Sequence, residues 1–419
     1  MKQIYKINND KFKGIFISLN YTMHVTKEEL SETAVLASIL SKSSKKYKNQ
    51  TEIEKYLYKL YGANFDVNVQ KIGDLYDLEF KIGFVNKKFL PGNINLLKSC
   101  LEFLNEIIYN PNIENETFGN ELVQREKLTI LEKVKQRKDN KISYAVINTE
   151  ALLNKDKVSG YYLFGDEEII PNITGNELYK RYQNVINNSC ITMVISGNLD
   201  GYENIENDVD EVFGNKLETK YKYDELVVNK KSEILDDISE TIELQDTNQS
   251  VITYGMKIEN VTDKDFYVIN MYNAILGGTA ASKLFQNFRE KESLAYIVRS
   301  RYYRFKDMII IYAGIKKEDY EKAKLVLNNE LNQIVNGNIT EEEFTAAKES
   351  LLSDLIEWED DKIAIAKMFF SNLFAFKNEK VTIEEMIENM KSVTMQDVID
   401  ISKRIKLEQV YFLRGDSNV

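Results

Sequence analysis

The sequence predicts an α+β chain built as two similar domains, each a largely antiparallel sheet with helices packed on one face. Two observations carry this reading. Strand-like alternation and helix-like periodicity intermix without the regular strand-helix alternation of parallel sheets, and hairpin signals recur. The same succession of elements is also run through twice, and a fixed-order repeat is the first feature to settle because it decides the whole architecture. The expected boundaries are an N-terminal domain over 1–214, a linker over 215–240 and a C-terminal domain over 241–419.

Taken in order, the first half opens on an alternating strand, Ile15 to Leu19, that leads through Val25-Thr26-Lys27-Glu28 into a helix bearing Leu30, Leu36, Ile39 and Leu40. The second half repeats this with Val251 to Met256, Val261-Thr262-Asp263-Lys264 and a helix over Val268 to Leu276; 261 minus 25 gives a shift of 236. Another helix starts at Thr51, with Glu54 as its capping-box partner, buries Ile53, Tyr56, Leu57 and Leu60, and ends at Gly62. Its counterpart ends near Arg289. A hairpin follows in each half. Phe65, Val67 and Val69 alternate, Gly73-Asp74 turns the chain, and Tyr76, Leu78, Phe80 and Ile82 alternate again. Ile297 to Tyr303 and Met308 to Tyr312 flank a turn near Lys306-Asp307.

The next correspondence is the sharpest. Asn110-Pro111-Asn112-Ile113 with Phe118 matches Asn336-Gly337-Asn338-Ile339 with Phe344 at a shift of 226. A long amphipathic helix precedes each (Ile94, Leu97, Leu101, Leu104 and Ile108; Tyr320, Ala323, Leu327, Leu331 and Ile334), and another helix follows. Each half closes on a strand running into glycine, Ile191 to Ile195 before Gly197 and Val410 to Leu413 before Gly415. Between the halves periodicity lapses and charges cluster, as in a linker.

Composition narrows the function classes. With 43% hydrophobic and 29% charged residues the chain reads as soluble and globular. A net charge of -11 argues against nucleic acid and anionic membrane surfaces. The opening MKQIYKINND carries no apolar signal region, and no stretch is long and apolar enough to span a bilayer, so a cytoplasmic location is expected. Cys100 and Cys190 suggest neither a disulfide framework nor a cysteine metal site.

One stretch concentrates the chemistry. A helix-period run through Val268, Met271, Tyr272, Ile275 and Leu276 stops at Gly277-Gly278, where glycine offers a left-handed exit. Ser282 is placed to cap a shorter helix, Leu284, Phe285 and Phe288 give it an apolar side, and Arg289-Glu290-Lys291-Glu292 ends it. Leu294 to Val298 then begins a strand. Arg289 and Tyr296, seven residues apart, can point at a common space. By local pattern alone they are a solvated charge and a half-buried strand tyrosine.

The pattern G-G-x-x-x-S-x-L-F, Gly277 to Phe285, followed by R-E-K-x-x-L-A-Y, Arg289 to Tyr296, resembles the C-terminal-domain signature of the pitrilysin or insulinase-like zinc peptidases, the inverzincins. The resemblance implies that Arg289 and Tyr296 hold the substrate carbonyl and stabilise the tetrahedral intermediate, with Gly277, Gly278 and Ser282 on the substrate-binding side. It implies a clamshell of two domains. It also calls for H-x-x-E-H on the first helix, two imidazoles to grip zinc and a glutamate to activate its water. Setting Ser41-Lys42-Ser43-Ser44-Lys45-Lys46 on the F-K-G-T-K-K that follows the motif places Ala34-Val35-Leu36-Ala37-Ser38 there instead. The chain has one histidine, His24, expected at a surface or turn. In the third-ligand region, Glu126 to Val134, Lys133 stands at the ligand position beside Glu132.

Other chemistries lack a signature: there is no phosphate loop, no dinucleotide fingerprint and no nucleophile elbow. The tyrosines of Tyr56-Tyr58-Tyr61 and Tyr302-Tyr303 are expected to pack rather than to bind peptide. A chain that keeps the arginine and tyrosine without the zinc apparatus resembles the non-metal subunits of heterodimeric bacterial peptidases, including a subgroup associated with 5-aminopentanol modification of elongation factor P. The implied partner is a zinc-bearing H-x-x-E-H subunit, the substrate a peptide or protein, and zinc a cofactor of the partner rather than of this chain. No autonomous activity is expected. The alternative is an inert scaffold with a peptidase-like fold.

Overall fold

The computed structural model describes residues 2–91, 95–226, 228, 237–376 and 381–416. Ile94 and the linker residues 227 and 229–236 lie outside the described residues. The first half contains β1 (Gln3–Asn8), β2 (Gly14–His24), α1 (Lys27–Leu40), α2 (Gln50–Lys59), β3 (Asn64–Ile72), β4 (Leu75–Val85), α3 (Leu96–Tyr109), a small hairpin of β5 (Ile113–Glu114) and β6 (Thr117–Phe118), α4 (Asn120–Gln136), α5 (Lys141–Leu153), α6 (Gly175–Asn188), β7 (Cys190–Gly197) and α7 (Ile205–Phe213). The second contains β8 (Ser239–Gln245), β9 (Ser250–Ile258), α8 (Asp265–Asn273), β10 (Val298–Tyr303), β11 (Met308–Ile315), α9 (Tyr320–Val335), α10 (Glu341–Trp358), α11 (Lys362–Ala375), α12 (Ile383–Ser392), α13 (Met395–Ser402) and β12 (Ile405–Gly415).

The repeat is visible as topology. One sheet runs β1-β7-β2-β4-β3 and the other β8-β12-β9-β11-β10. In each, the first pair is parallel and the rest antiparallel. The shift is not constant. The ends of α3 and α9 differ by 335 minus 109, or 226, but the starts of α5 and α11 differ by 362 minus 141, or 221. The β5-β6 hairpin occupies the difference, so Phe118 lies in a strand before its helix while Phe344 lies inside α10. Their match at 226 holds in sequence and not in structure.

The two compact units are not contiguous in sequence. Unit 1 comprises Met1–Lys135, Tyr161–Val228 and Glu359–Lys380; unit 2 comprises Gln136–Gly160, Asn229–Trp358 and Val381–Val419. Helix α5, from the first half of the chain, therefore packs in unit 2, and α11, from the second half, packs in unit 1. Domains cut at 214 and 240 do not capture this reciprocal placement.

In unit 1 the alternation sets the faces. Ile15, Ile17, Leu19 and Tyr21 pair across with Phe84, Ile82, Phe80 and Leu78 on the side that carries α1, α3 and α6. The Tyr21 and Tyr109 hydroxyls bond at 2.8 Å, tying β2 to α3. The other side is polar, with Ser18, Asn20 and Thr22 beside Glu79 and Asp77, and α11 lies over β7 and β2 there, Phe369 against Tyr5 of β1 at 5.0 Å. In unit 2 the side bearing Tyr254 and Phe412 meets α9, the Phe412 ring stacking on Tyr320 at 4.1 Å. The opposite side carries α5, whose Tyr144 and Ala145 pack on Val251, Tyr411 and Leu413, and whose Leu153 packs on Met308 and Ile310. Among the described residues, each sheet thus has its helices on one face plus a single helix on the other.

Local starts and stops differ in places from the sequence pattern. Helix α1 begins at the expected point, with Thr26 and Glu29 forming a reciprocal capping box. Helix α2 begins earlier than Thr51, because Asn49 accepts the Glu52 N–H at 3.1 Å and captures the N-cap. His24 is exposed at the end of β2, and Cys100 and Cys190 are buried thiols.

Candidate functional site

The glycine-serine stretch of unit 2 is built on two π-helical segments, Ala274–Gly278 and Leu284–Lys291. Such widened turns are uncommon and gather at functional sites. Neither glycine takes a left-handed φ, so the helix does not leave through that region. Close packing accounts for Gly277 instead: a Cβ there would sit 2.8 Å from the Ser300 backbone nitrogen and 2.9 Å from Leu284 Cδ1. At Gly278 a Cβ would meet the Asn273 carbonyl oxygen at 3.0 Å. Ser282 is buried; its hydroxyl donates to the Thr279 carbonyl at 2.6 Å and receives the Phe285 N–H only at 3.4 Å. These three residues set the path of the backbone beneath the following helix, and Ser282 offers no free surface.

That helix is fixed from below and presents Arg289. Leu284 and Phe288 are fully buried, Asn287 donates to Glu330 of α9 at 2.8 Å, and Lys283 pairs with Glu343 of α10 at 2.9 Å. Ser293 then turns left-handed (φ 51°), and the Leu294 N–H bonds the Phe288 carbonyl at 3.1 Å. The strand consequently begins at Val298 rather than at Leu294, and Tyr296 rides on a short loop. Its side chain is 82% exposed.

The structure brings Arg289 and Tyr296 together. The guanidinium carbon lies 5.3 Å from the centre of the Tyr296 ring and 4.5 Å from that of Phe285, within cation–π range. Nε contacts Glu290 at 3.3 Å, and the side chain keeps about a third of its surface. The Tyr296 phenol makes no hydrogen bond among the described residues. A guanidinium and a phenol hydroxyl, held on one rim and open to solvent, form a donor pair suited to a carbonyl oxygen that gains negative charge.

The residues at the zinc-motif positions do not fit a metal. Ala34 and Ala37 carry no ligand atom, and Ser38 donates its hydroxyl to Glu126 of α4 at 2.6 Å. The other oxygen of that buried carboxylate takes Arg125 Nε at 2.8 Å. Lys133, further along α4, sits over the Phe164 ring at 5.1 Å. The zinc-motif positions of α1 and the third-ligand region of α4 thus meet in space at Ser38 and Glu126, as a hydroxyl–carboxylate–guanidinium set. Among the described residues no group of three or more histidine, cysteine, aspartate or glutamate side chains is placed to hold a metal ion.

Two features escaped the sequence reading. Tyr58 is 82% exposed and Tyr61 partly so, rather than packed, whereas Tyr302 and Tyr303 are largely enclosed. Alternation marked Asp77 and Glu79 as outward residues of β4, yet both are buried. Asp77 accepts the Thr22 hydroxyl at 2.7 Å and the Gln70 amide at 2.9 Å, and Glu79 accepts the Ser18 hydroxyl at 2.9 Å. Burial pushes the Asp77 carboxyl up to about 7 against the pull of those two bonds, and it raises Glu79 despite Lys81 and Lys367. The polar side of the sheet was legible, but not the helix that covers it.

Comparison with known proteins finds relatives of the same fold. The model described as peptidase M16 inactive domain matches residues 172–351. Over 410 residues the chain is 25% identical to a Bacillus subtilis (strain 168) protein named probable inactive metalloprotease YmfF, spanning 98% of this chain and 95% of that one. It is 23% identical over 299 residues to an uncharacterized zinc protease of the same organism, YmxG, spanning 70% of each. A conserved protein from Enterococcus faecalis V583 has the same fold, with a TM-score of 0.90 at 24% identity over 99% of this chain and 97% of that one. The peptidase M16 inactive domain from Pseudomonas fluorescens matches with a TM-score of 0.77 at 14% identity over 99% and 96%. Among the described residues no helix is long and apolar enough to cross a membrane.

Proposed function

We propose that the chain, which is similar to the peptidase M16 inactive domain over residues 172–351 and to a probable inactive metalloprotease over nearly its whole length, is the non-metal subunit of a heterodimeric zinc metallopeptidase. In this reading a partner of the same fold carries H-x-x-E-H and its zinc. This chain contributes Arg289 and Tyr296, which bind the scissile carbonyl of a peptide or protein substrate. The observation that carries the proposal is the juxtaposition of the two side chains, 5.3 Å from guanidinium carbon to ring centre, on an exposed rim. The absence of an imidazole at Ala34 and Ser38 and of a carboxylate at Ala37 supports the division of labour, since the donors and the metal need only converge on one carbonyl and need not share a polypeptide.

The chemistry asked of this chain is modest. As the carbonyl carbon becomes tetrahedral its oxygen gains charge, and a guanidinium and a phenol in place before the reaction stabilise that charge without reorganising. Stacking on Tyr296 and Phe285 limits the freedom of Arg289. Gly277, Gly278 and Ser282 act from beneath, by holding the backbone course that sets the rim.

The test is peptide hydrolysis by the chain mixed with a zinc-bearing relative, comparing wild type with Tyr296→Phe. Loss of one such donor costs roughly 2.7 to 4 kcal/mol, a hundred- to thousandfold in rate. An active mixture in which the substitution is silent would assign the chain a scaffolding role. One tightly held zinc per isolated chain would remove the non-metal reading altogether.

A further inference from the structure

Positive charge in this chain is carried by lysine. Of its 55 basic residues nine are arginine, which leaves 55 minus 9, or 46, lysines. Four of the nine nevertheless stand within sixteen residues, at Arg289, Arg299, Arg301 and Arg304. Arginine differs from lysine in its planar fork, which grips a carboxylate through two parallel hydrogen bonds. Where lysine is the default, such a concentration calls for a use of the fork.

Arg304 has a structural use, its guanidinium carbon lying 3.9 Å from the centre of the Phe266 ring. Arg299 and Arg301 are placed differently. Both are on β10, the outer strand of its sheet, where Val298 and Ser300 are buried and the two arginines are exposed. They therefore project from one side of the strand, opposite Tyr312 and Ile310 of β11. Arg301 lies against Tyr303 at 5.3 Å, and neither guanidinium meets a carboxylate among the described residues.

The surroundings supply none. β9, β10 and β11 hold Lys257, Arg299 and Arg301 as their only charged residues. The carboxylates of neighbouring elements are committed elsewhere: Glu150 of α5 to Lys306 at 2.8 Å, Glu292 to Lys322 at 3.0 Å and Glu290 to Arg289 Nε at 3.3 Å. A net charge of -11 disfavours acidic ligands at a distance. With a screening length of about 8 Å in physiological salt, however, the field at β10 is set by its own neighbours. The arginines also adjoin the rim already described. Arg299 follows Tyr296 by three residues and Arg301 by five, so their Cα atoms lie within about 11 and 18 Å of it, a span of about three to five residues of extended peptide.

We propose that Arg299 and Arg301 select acidic substrates: the peptide held at Arg289 and Tyr296 carries aspartate or glutamate within about five residues of the bound carbonyl, and the two guanidiniums donate to those carboxylates. The inference rests on the carbonyl-binding reading for the position of the peptide and adds its chemical class.

The probe is a labelled peptide of about thirteen residues with glutamates on both sides of a central alanine, compared with the same peptide carrying glutamine or lysine instead. Anisotropy titration with the full chain should show saturable binding of the glutamate peptide, about tenfold or more tighter than the glutamine peptide and severalfold weaker in high salt. R299Q/R301Q should abolish the preference, and R299E/R301E should reverse it in favour of the lysine peptide. Because Arg301 also packs on Tyr303, the unfolding midpoint of each variant is measured. A reversed preference cannot come from lost structure, so it decides the matter even where the midpoint falls. In an active mixture with a zinc-bearing relative, kcat/KM for the three peptides should follow the same order. Equal affinity for the glutamate and glutamine peptides, or a preference that survives R299Q/R301Q, overturns the proposal and leaves the carbonyl-binding pair untouched. A silent Tyr296→Phe in the mixture, with the glutamate preference intact, strikes the carbonyl-binding reading and not the acidic preference.

Discussion

Asp77 illustrates what one buried carboxyl does to the pH dependence of the fold. Its side chain is fully enclosed, held by Thr22 and Gln70, with Glu79 two residues away on the same side of the sheet. Burial raises its pKa to about 7, above the value of about 3.9 in an unfolded chain. The native state then holds the proton more tightly than the unfolded state. The stability this contributes is fully present below about pH 4 and is lost as pH rises through about 7. Relative to Asp77→Asn, wild type should therefore lose stability between about pH 4 and pH 7, by no more than about 1.4 kcal/mol per pH unit. Urea unfolding of both proteins across that range measures the difference, and a difference independent of pH would show that Asp77 does not titrate there. The contrast with α1 shows what residue-level reading can reach. The missing imidazoles at Ala34 and Ser38 and the missing carboxylate at Ala37 are legible because neither alanine nor serine supplies those groups in any fold. The bond from Ser38 to Glu126, which closes that place, depends on how two helices approach and has no sequence signal.

Elements were legible where a pattern is local and was misread where neighbours decide. The alternation of β4 and the Thr26 cap of α1 needed only a few adjacent residues. The N-cap of α2 falls on Asn49 rather than on the expected Thr51. The segment around Gly277 shows the other case. A double glycine after a helix reads as a left-handed exit, but here the backbone stays right-handed and widens, and Gly277 is required because Ser300 of β10 lies against it. Gly277→Ala should therefore act as an overpacking substitution rather than a relief of flexibility. A backbone atom at 2.8 Å cannot yield as a side-chain tip can, so a loss of about 1 to 3 kcal/mol is expected. Thermal or urea unfolding checks the size. A stabilisation, which glycine-to-alanine changes give at unstrained helical sites, would show that the approach to β10 is looser than the geometry states.

At the scale of the whole molecule, the repeat was legible because turn chemistry and helix periodicity recur in order, and the sheet topologies agree strand by strand. The placement of α5 and α11 was not legible, because each is an apolar helix whose pattern says that it is covered without saying by which sheet. Physically, α5 belongs to unit 2 through its Thr149 hydroxyl bond to Thr253, the bond from Asn148 to Tyr411 at 2.9 Å and a close fit over Gly255, where a Cβ would meet Leu153 at 2.6 Å. Helix α11 belongs to unit 1 through Phe369 against Tyr5, Phe374 against Tyr223 and the approach of Lys367 to Glu79. Severing the chain at the linker would then leave each half without one helix and with another that has no seat. Residues 1–240 would expose the polar strip holding Asp77 and Glu79 to water and leave the apolar side of α5 uncovered. Neither half should unfold cooperatively alone, and each should bind a dye for exposed apolar surface. The two halves produced together should recover a cooperative transition, because every helix regains its seat. Should residues 1–240 alone unfold cooperatively at the midpoint of the full chain, α11 contributes little to unit 1, and the contiguous halves are the true folding units.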